Sequence, residues 1–133
     1  MRYVLDASVA VASLRPAEPL HAASVAYLAP LLAGRDSIVV PSIFRIEVAS
    51  ALARAGFTAA QVGRFIGAFL AGARIATLGP KRAIDIQAVA VDTRLRAADA
   101  IYVWLAQKEG LPLVTGDTEV LLRGSTRCQV VSP

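Results

Sequence analysis

The stretch Leu95 to Asp117, LRAADAIYVWLAQKEGLPLVTGD, decides the architecture. Its first part reads as a helix from Arg96 to Lys108, and Gly110 supplies the left-handed residue that commonly ends one. Leu113 to Thr115 follows as a short apolar strand. Asp99 falls in the first turn of the helix, and Asp117 lies just past the strand. An acid in each of these places is notable in a chain that is otherwise poor in acids.

The same alternation extends outward in both directions. Tyr3 to Leu5 forms a first strand ending at Asp6, and Ser8 to Leu14 a brief helix closed by Arg15 and Pro16. Pro19 suits the first turn of a second helix running to about Leu32, with Pro30 in its last turn and Gly34 beyond. Ser37 to Val40 is the next strand. Pro41 and Ser42 lead into a helix whose apolar positions Phe44, Val48, Ala51, Leu52 and Ala55 share one face, with Glu47 about one turn in and Gly56 as its stop. Thr58 to Gln61 matches a capping box opening a fourth helix through Val62, Phe65, Ile66 and Phe69. Ile75 to Leu78 is a third strand, and Gly79 and Pro80 turn into a helix over Lys81 to Val91. After Asp117, Glu119 to Leu122 makes a short helical turn and Gln129 to Val131 a last strand. Strands separated by helices predict right-handed crossovers, hence an α/β fold: a three-layer α/β/α sandwich with a mostly parallel central sheet.

In such a sheet Asp6 and Asp117 emerge together at the carboxyl edge, where open α/β folds bind ligands. Glu47 and Asp99 point back toward that edge from their helices. An unpaired carboxylate is costly in the apolar surroundings of Phe44, Val48 and Ala51, or of Ala97, Ala98 and Ala100, and a cation would relieve that cost. Taken singly, each acid has a plainer role, as a helix cap or as a partner of the helix dipole. Four independent caps need not converge on one edge.

These stretches carry a resemblance. VLDASVAV around Asp6, PSIFRIEVASALAR around Glu47 and the Leu95–Asp117 segment resemble the PIN domain and, within it, VapC-type toxins; together they span nearly the whole chain, while the middle helices match only in pattern. The resemblance implies a PIN-like fold and a Mg²⁺- or Mn²⁺-dependent endoribonuclease whose catalytic and metal-binding acids are Asp6, Glu47, Asp99 and Asp117, supported by the hydroxyls of Ser8 and Thr115. It also implies a homodimer and a cognate VapB-type antitoxin. Phosphodiester hydrolysis of this kind needs a hard cation with oxygen ligands, with Asp6, Asp99 and Asp117 as principal ligands and Glu47 as ligand or orienter of the attacking water. Glu119 is either an auxiliary ligand or an exposed acid at a helix start. A housekeeping RNA-processing nuclease without an antitoxin, and a non-catalytic module binding metal or RNA, are the alternatives.

Composition agrees with this reading and removes others. At 133 residues the chain is expected to form one domain over residues 1–133. It is 56% hydrophobic, but it has no run of about eighteen uninterrupted apolar residues, so no membrane span is expected. Asp6 interrupts the N-terminal apolar run and no convincing cleavage site follows, so a cytoplasmic protein is expected rather than a secreted one. Cys128 is the single cysteine, which excludes an internal disulfide and a multi-cysteine zinc site, and it is expected to pack rather than react. His21, the sole histidine, lies away from all four acidic motifs.

The net charge of +4 averages two unlike surfaces. With the four acids set apart, six remain against fourteen Lys and Arg, leaving a surface of about +8 suited to a polyanion. Arg45, Arg94 and Arg96 flank the acidic motifs and are the candidate RNA-binding residues. Tyr102, Trp104 and Leu105 on one helix are expected to build core, and the richly apolar fourth helix to leave part of its face exposed for a partner.

Overall fold

A computed structural model describes residues 1–133. The elements are β1 (Arg2–Leu5), α1 (Ala7–Leu14), α2 (His21–Leu32), β2 (Ser37–Pro41), α3 (Phe44–Arg54), α4 (Ala59–Leu70), β3 (Arg74–Ala76), α5 (Pro80–Thr93), α6 (Ala97–Glu109), β4 (Leu113–Val114), α7 (Thr118–Arg123), a 3-10 turn at Gly124–Thr126 and β5 (Val130–Val131). The five strands lie in the order β3-β2-β1-β4-β5. Every neighbouring pair is parallel, with Val4 opposite Val39 on one side and Leu113 on the other.

That order fixes where a site can form. From β1 the chain steps outward through β2 to β3, then returns past β1 to β4 and β5. Right-handed crossovers therefore place α1 to α4 on one face and α5 to α7 on the other. In keeping with this, α1 packs on α2 and α3, α3 on α4, and α5 on α6. The chain leaves β1 toward one face and β4 toward the opposite one, which opens a crevice at the carboxyl ends of these adjacent strands. Asp6 and Asp117 begin the helices that diverge there.

Local chemistry sets most of the boundaries. The Thr58 hydroxyl accepts from the Gln61 backbone at 3.2 Å, and the Gln61 side chain accepts from the Thr58 backbone at 2.9 Å, closing the capping box of α4. Pro80 opens α5, where its missing N–H costs nothing. Gly110 ends α6 at φ 63. Arg94 ends α5 in the same left-handed region, at φ 57, a conformation that costs a residue with a Cβ on the order of 1 kcal/mol.

Two boundary or packing expectations change. Helix α2 starts at His21 rather than near Pro19, because Glu18 pairs with Arg15 at 2.7 Å and its backbone joins consecutive turns from Arg15 to His21. The same helix runs to Leu32 with Pro30 in its last turn, as expected. The fourth helix is not an open apolar face: Ile66 and Phe69 are buried, and Phe65 is half-buried with its ring edge-on to Phe57. The large apolar side chains left exposed lie elsewhere, Ile46, Ile84 and Val91 among them. Tyr102, Trp104 and Leu105 are buried as expected. No helix is long and apolar enough to cross a membrane.

The C-terminal segment closes the sheet through a tight approach at Gly124, which follows α7. A Cβ there would lie 2.9 Å from Val103 Cγ2, 3.4 Å from Val130 Cγ2 and 3.5 Å from Val120 Cγ1. Gly124→Ala should therefore destabilise the fold by about 1–3 kcal/mol through overpacking, measured as a lower urea midpoint at unchanged slope. An unchanged midpoint would mean that this segment yields freely.

Candidate active site

At the crevice, Asp6, Glu47, Asp99 and Asp117 line one cavity of about 330 Å³, together with Ala7, Ser8, Val11, Glu18 and Ala51. Four separate elements deliver the four acids. Asp6 is the N-cap of α1, Glu47 stands in the first turn of α3, Asp99 in the first turn of α6, and Asp117 is the N-cap of α7.

Asp6 is the best-anchored of them. Only 6% exposed, it receives a 2.6 Å hydrogen bond from the fully buried Thr115 hydroxyl and a 2.8 Å bond from the Ser8 hydroxyl, both on Oδ2. The Ser8 backbone N–H reaches Oδ1 at 3.3 Å. Each hydroxyl also accepts from the chain after β4: Ser8 Oγ from the Gly116 N–H at 3.2 Å, Thr115 Oγ1 from the Asp117 N–H at 3.1 Å. Both hydroxyl protons are thereby aimed at the carboxylate. The two supporting residues expected from the sequence thus stitch the end of β1 to the end of β4.

The other acids are held in part. Asp117 Oδ1 accepts from the Glu119 and Val120 backbones at 2.8 and 3.1 Å, so the plain capping role and the cavity-lining role coexist on one side chain. Glu47 Oε1 accepts a 2.7 Å bond from the buried Tyr102 hydroxyl. Burial and neighbouring charges, with no hydrogen bond, act on Asp99. The carboxylates share a cavity without closing on one point, and no three acidic, His or Cys side chains are drawn together tightly enough to enclose an ion.

Protonation follows from these surroundings. Burial pushes the Asp6 carboxyl above the ordinary carboxylate range, outweighing the bonds from Thr115 and Ser8, and Asp117 adds to the rise. Burial also raises Glu47, with Asp6 and Asp99 adding to the effect and the Tyr102 bond opposing it. Asp99 is pushed up to about 6 by burial, then by Asp6 and Asp117, with Arg96 opposing. An all-oxygen donor set strained by its own charge suits a hard divalent cation such as Mg²⁺ or Mn²⁺, so the residues present fit the expected ion.

Glu18 carries no signal in the sequence. It lies in the turn between α1 and α2, flanked by Pro16 and Pro19, where no motif marks it. The Tyr102–Glu47 bond, across 55 residues, is likewise invisible before folding. Arg45, Arg94 and Arg96 are exposed, and none lines the cavity, although Arg96 precedes α6 and acts on Asp99 through its charge. Glu119 is exposed and faces Arg123 at 3.9 Å. His21 Nδ1 is engaged by the Ala12 carbonyl at 2.8 Å. Burial pushes the Cys128 thiol up to about 11, against a nucleophilic role.

The chain matches the PIN domain family over residues 3–123. Among solved structures it is similar to PAE2754 from Pyrobaculum aerophilum, at 25% identity and TM-score 0.70, covering 98% of this chain and 84% of that one. It is also similar to VapBC2 from Rickettsia felis bound to a DNA fragment from their promoter, at 17% identity and TM-score 0.72, covering 99% and 98%. A third likeness is to FitAcB from Neisseria gonorrhoeae, at 23% identity and TM-score 0.64, covering 98% and 96%. The last two establish a shared fold. Among curated proteins no match is found.

The raised carboxyls make stability depend on pH in a definite direction. A carboxyl whose pKa rises from 3.8 to about 6 on folding, as for Asp99, favours the folded state most at acid pH and loses that contribution as pH rises through about 6. In EDTA the wild-type melting temperature should therefore fall across this window relative to Asp99→Asn, and the Asn variant should be the more stable above about pH 7. Thermal melts in matched buffers measure the difference; parallel curves would show that Asp99 carries no such burden.

Proposed function

The chain belongs to the PIN domain family, and we propose that it is a divalent-metal-dependent endoribonuclease acting as the toxin of a toxin–antitoxin pair. The observation that carries this reading is the meeting of Asp6, Glu47, Asp99 and Asp117, from four elements, in one cavity at the switch point of a parallel sheet.

Asp6, Asp99 and Asp117 are the residues that would hold Mg²⁺ or Mn²⁺, with Glu47 completing the set. A cation held there supplies Lewis acidity toward a phosphate oxygen and lowers the pKa of an attacking water. The protein contributes position and charge. Ser8 and Thr115 fix the Asp6 carboxylate so that its geometry costs no reorganisation at the moment of reaction. Tyr102 holds Glu47 Oε1, which leaves Oε2 to orient the water that attacks phosphorus. Because these carboxyls retain protons more readily than ordinary ones, ion uptake competes with protonation and activity falls in acid.

Similarity to VapBC2 and FitAcB supports a cognate VapB-type antitoxin as the partner, and the reading adds RNA as substrate and a second copy of the chain. The predominantly Arg surface matches a phosphate backbone. A housekeeping nuclease of the same fold would share the chemistry and lack the antitoxin.

Purified protein should cut RNA in Mg²⁺ or Mn²⁺ and stop in EDTA, and Asp6→Asn or Asp99→Asn should each lose at least about 100-fold in rate. Undiminished cutting in EDTA or by both variants would reject the chemistry. Expression should arrest growth, and co-expression of a small neighbouring open reading frame should relieve it; arrest that no such frame relieves would favour the housekeeping role. Tyr102→Phe removes only the hydroxyl on Glu47 and should lower kcat about tenfold or more at similar KM, read by steady-state cleavage.

A further inference from the structure

A second cleft, of about 390 Å³, is lined by Arg15, Ala51, Arg54 and Ala55. It adjoins the carboxylate cavity, since Ala51 of α3 lines both. Arg15 is the C-cap of α1 and Arg54 the last residue of α3, and these two helices pack together. Arg54 takes part in none of the chain's ion pairs. Arg15 pairs with Glu18 at 2.7 Å, and Glu18 also lines the carboxylate cavity.

The arrangement places two arginines in a cleft that adjoins a concentration of negative charge. A polyanion whose reacting phosphate enters the acidic cavity is repelled there except where a cation compensates, and its neighbouring phosphates need compensation close by. We infer that Arg15 and Arg54 bind backbone phosphate flanking the scissile linkage of an RNA strand, with Glu18 occupying Arg15 until the strand replaces it. This rests on the nuclease reading above and assigns the path by which the substrate crosses the rim of the site.

Three features favour this cleft over the arginines that flank the acidic motifs in sequence. It is concave and continuous with the cavity, whereas Arg45, Arg94 and Arg96 line neither space. Its two planar forks come from different elements, the end of α1 and the end of α3, and each is suited to a phosphate oxygen pair. The Arg15–Glu18 pair is only partly buried, 37% and 35% exposed by side chain, so a phosphate can reach Arg15 and take the place of Glu18.

The test compares wild type with the double variant Arg15→Gln, Arg54→Gln on a single-stranded RNA oligonucleotide, by steady-state cleavage in Mg²⁺ and by fluorescence anisotropy in EDTA over a salt series. The expected result is a KM raised about tenfold with little change in kcat, and a salt slope shallower by about 0.7 for each phosphate that is no longer neutralised. Arg64→Gln, on exposed α4 surface, should leave both at wild-type values. The pair Arg15→Lys, Arg54→Lys should keep the salt slope while losing part of the affinity, which guards against a fold defect in the Gln variant. Cleavage with wild-type KM and slope in the double Gln variant would overturn the assignment and leave the nuclease reading standing. Absence of any metal-dependent cleavage by wild type would instead overturn the nuclease reading. Weakened antitoxin binding with unchanged RNA constants would give the cleft to a protein partner and overturn the proposal.

Discussion

The Asp6 carboxylate, buried between the ends of β1 and β4, is the constraint on which the site depends. Its two hydroxyl donors sit 2 and 109 residues away in sequence, so holding the carboxylate also holds the two strand ends in register. A buried anion is tolerated only while such donors surround it. The backbone amides of Gly116 and Asp117 complete the arrangement by orienting those donors. Strand pairing and cavity geometry are consequently one network rather than two.

Around that anchor the protein concentrates unfavourable charge. Three carboxyls are raised above their ordinary range by burial and by one another. The fold tolerates this because the core beneath is extensive: Tyr3, Val4, Leu5, Leu113 and Val114 are wholly inaccessible. Stability lost at the cavity is offset by apolar burial a few residues away, the usual relation between a scaffold and the strained site it carries. Positive charge is kept to the rim and outer surface, so a polyanion meets attraction before it meets the acids.

Much of this is legible in the chain because the relevant chemistry is local. Thr58 and Gln61 cap a helix that begins where they predict, and Gly110 ends one where its left-handed backbone permits. Asp6 and Asp117 announce the carboxyl edge because each follows an apolar strand. The start of α2 departs from expectation because consecutive backbone turns, Glu18 N–H to the Arg15 carbonyl and His21 N–H to the Glu18 carbonyl, occupy the segment around Pro19, and no propensity encodes them. The apolar face of α4 is more covered than expected, with Ile66 and Phe69 buried and Val62, Phe65 and Leu70 half-buried, because α2 and α3 pack on it, and periodicity within one helix does not reveal what lies across from it.

The sequence by itself determined the alternation of strands and helices and the parallel sheet, since periodicity and capping act within a few residues, and it singled out Asp6 and Asp117 as acids after apolar strands and Glu47 and Asp99 as acids near helix starts. Only the tertiary structure decided that Tyr102 grips Glu47, that Glu18 joins the cavity, and that Arg15 and Arg54 line a cleft adjoining it. Those relations depend on which helix faces pack together and how far side chains reach across the gap. Distance along the chain carries no information about either.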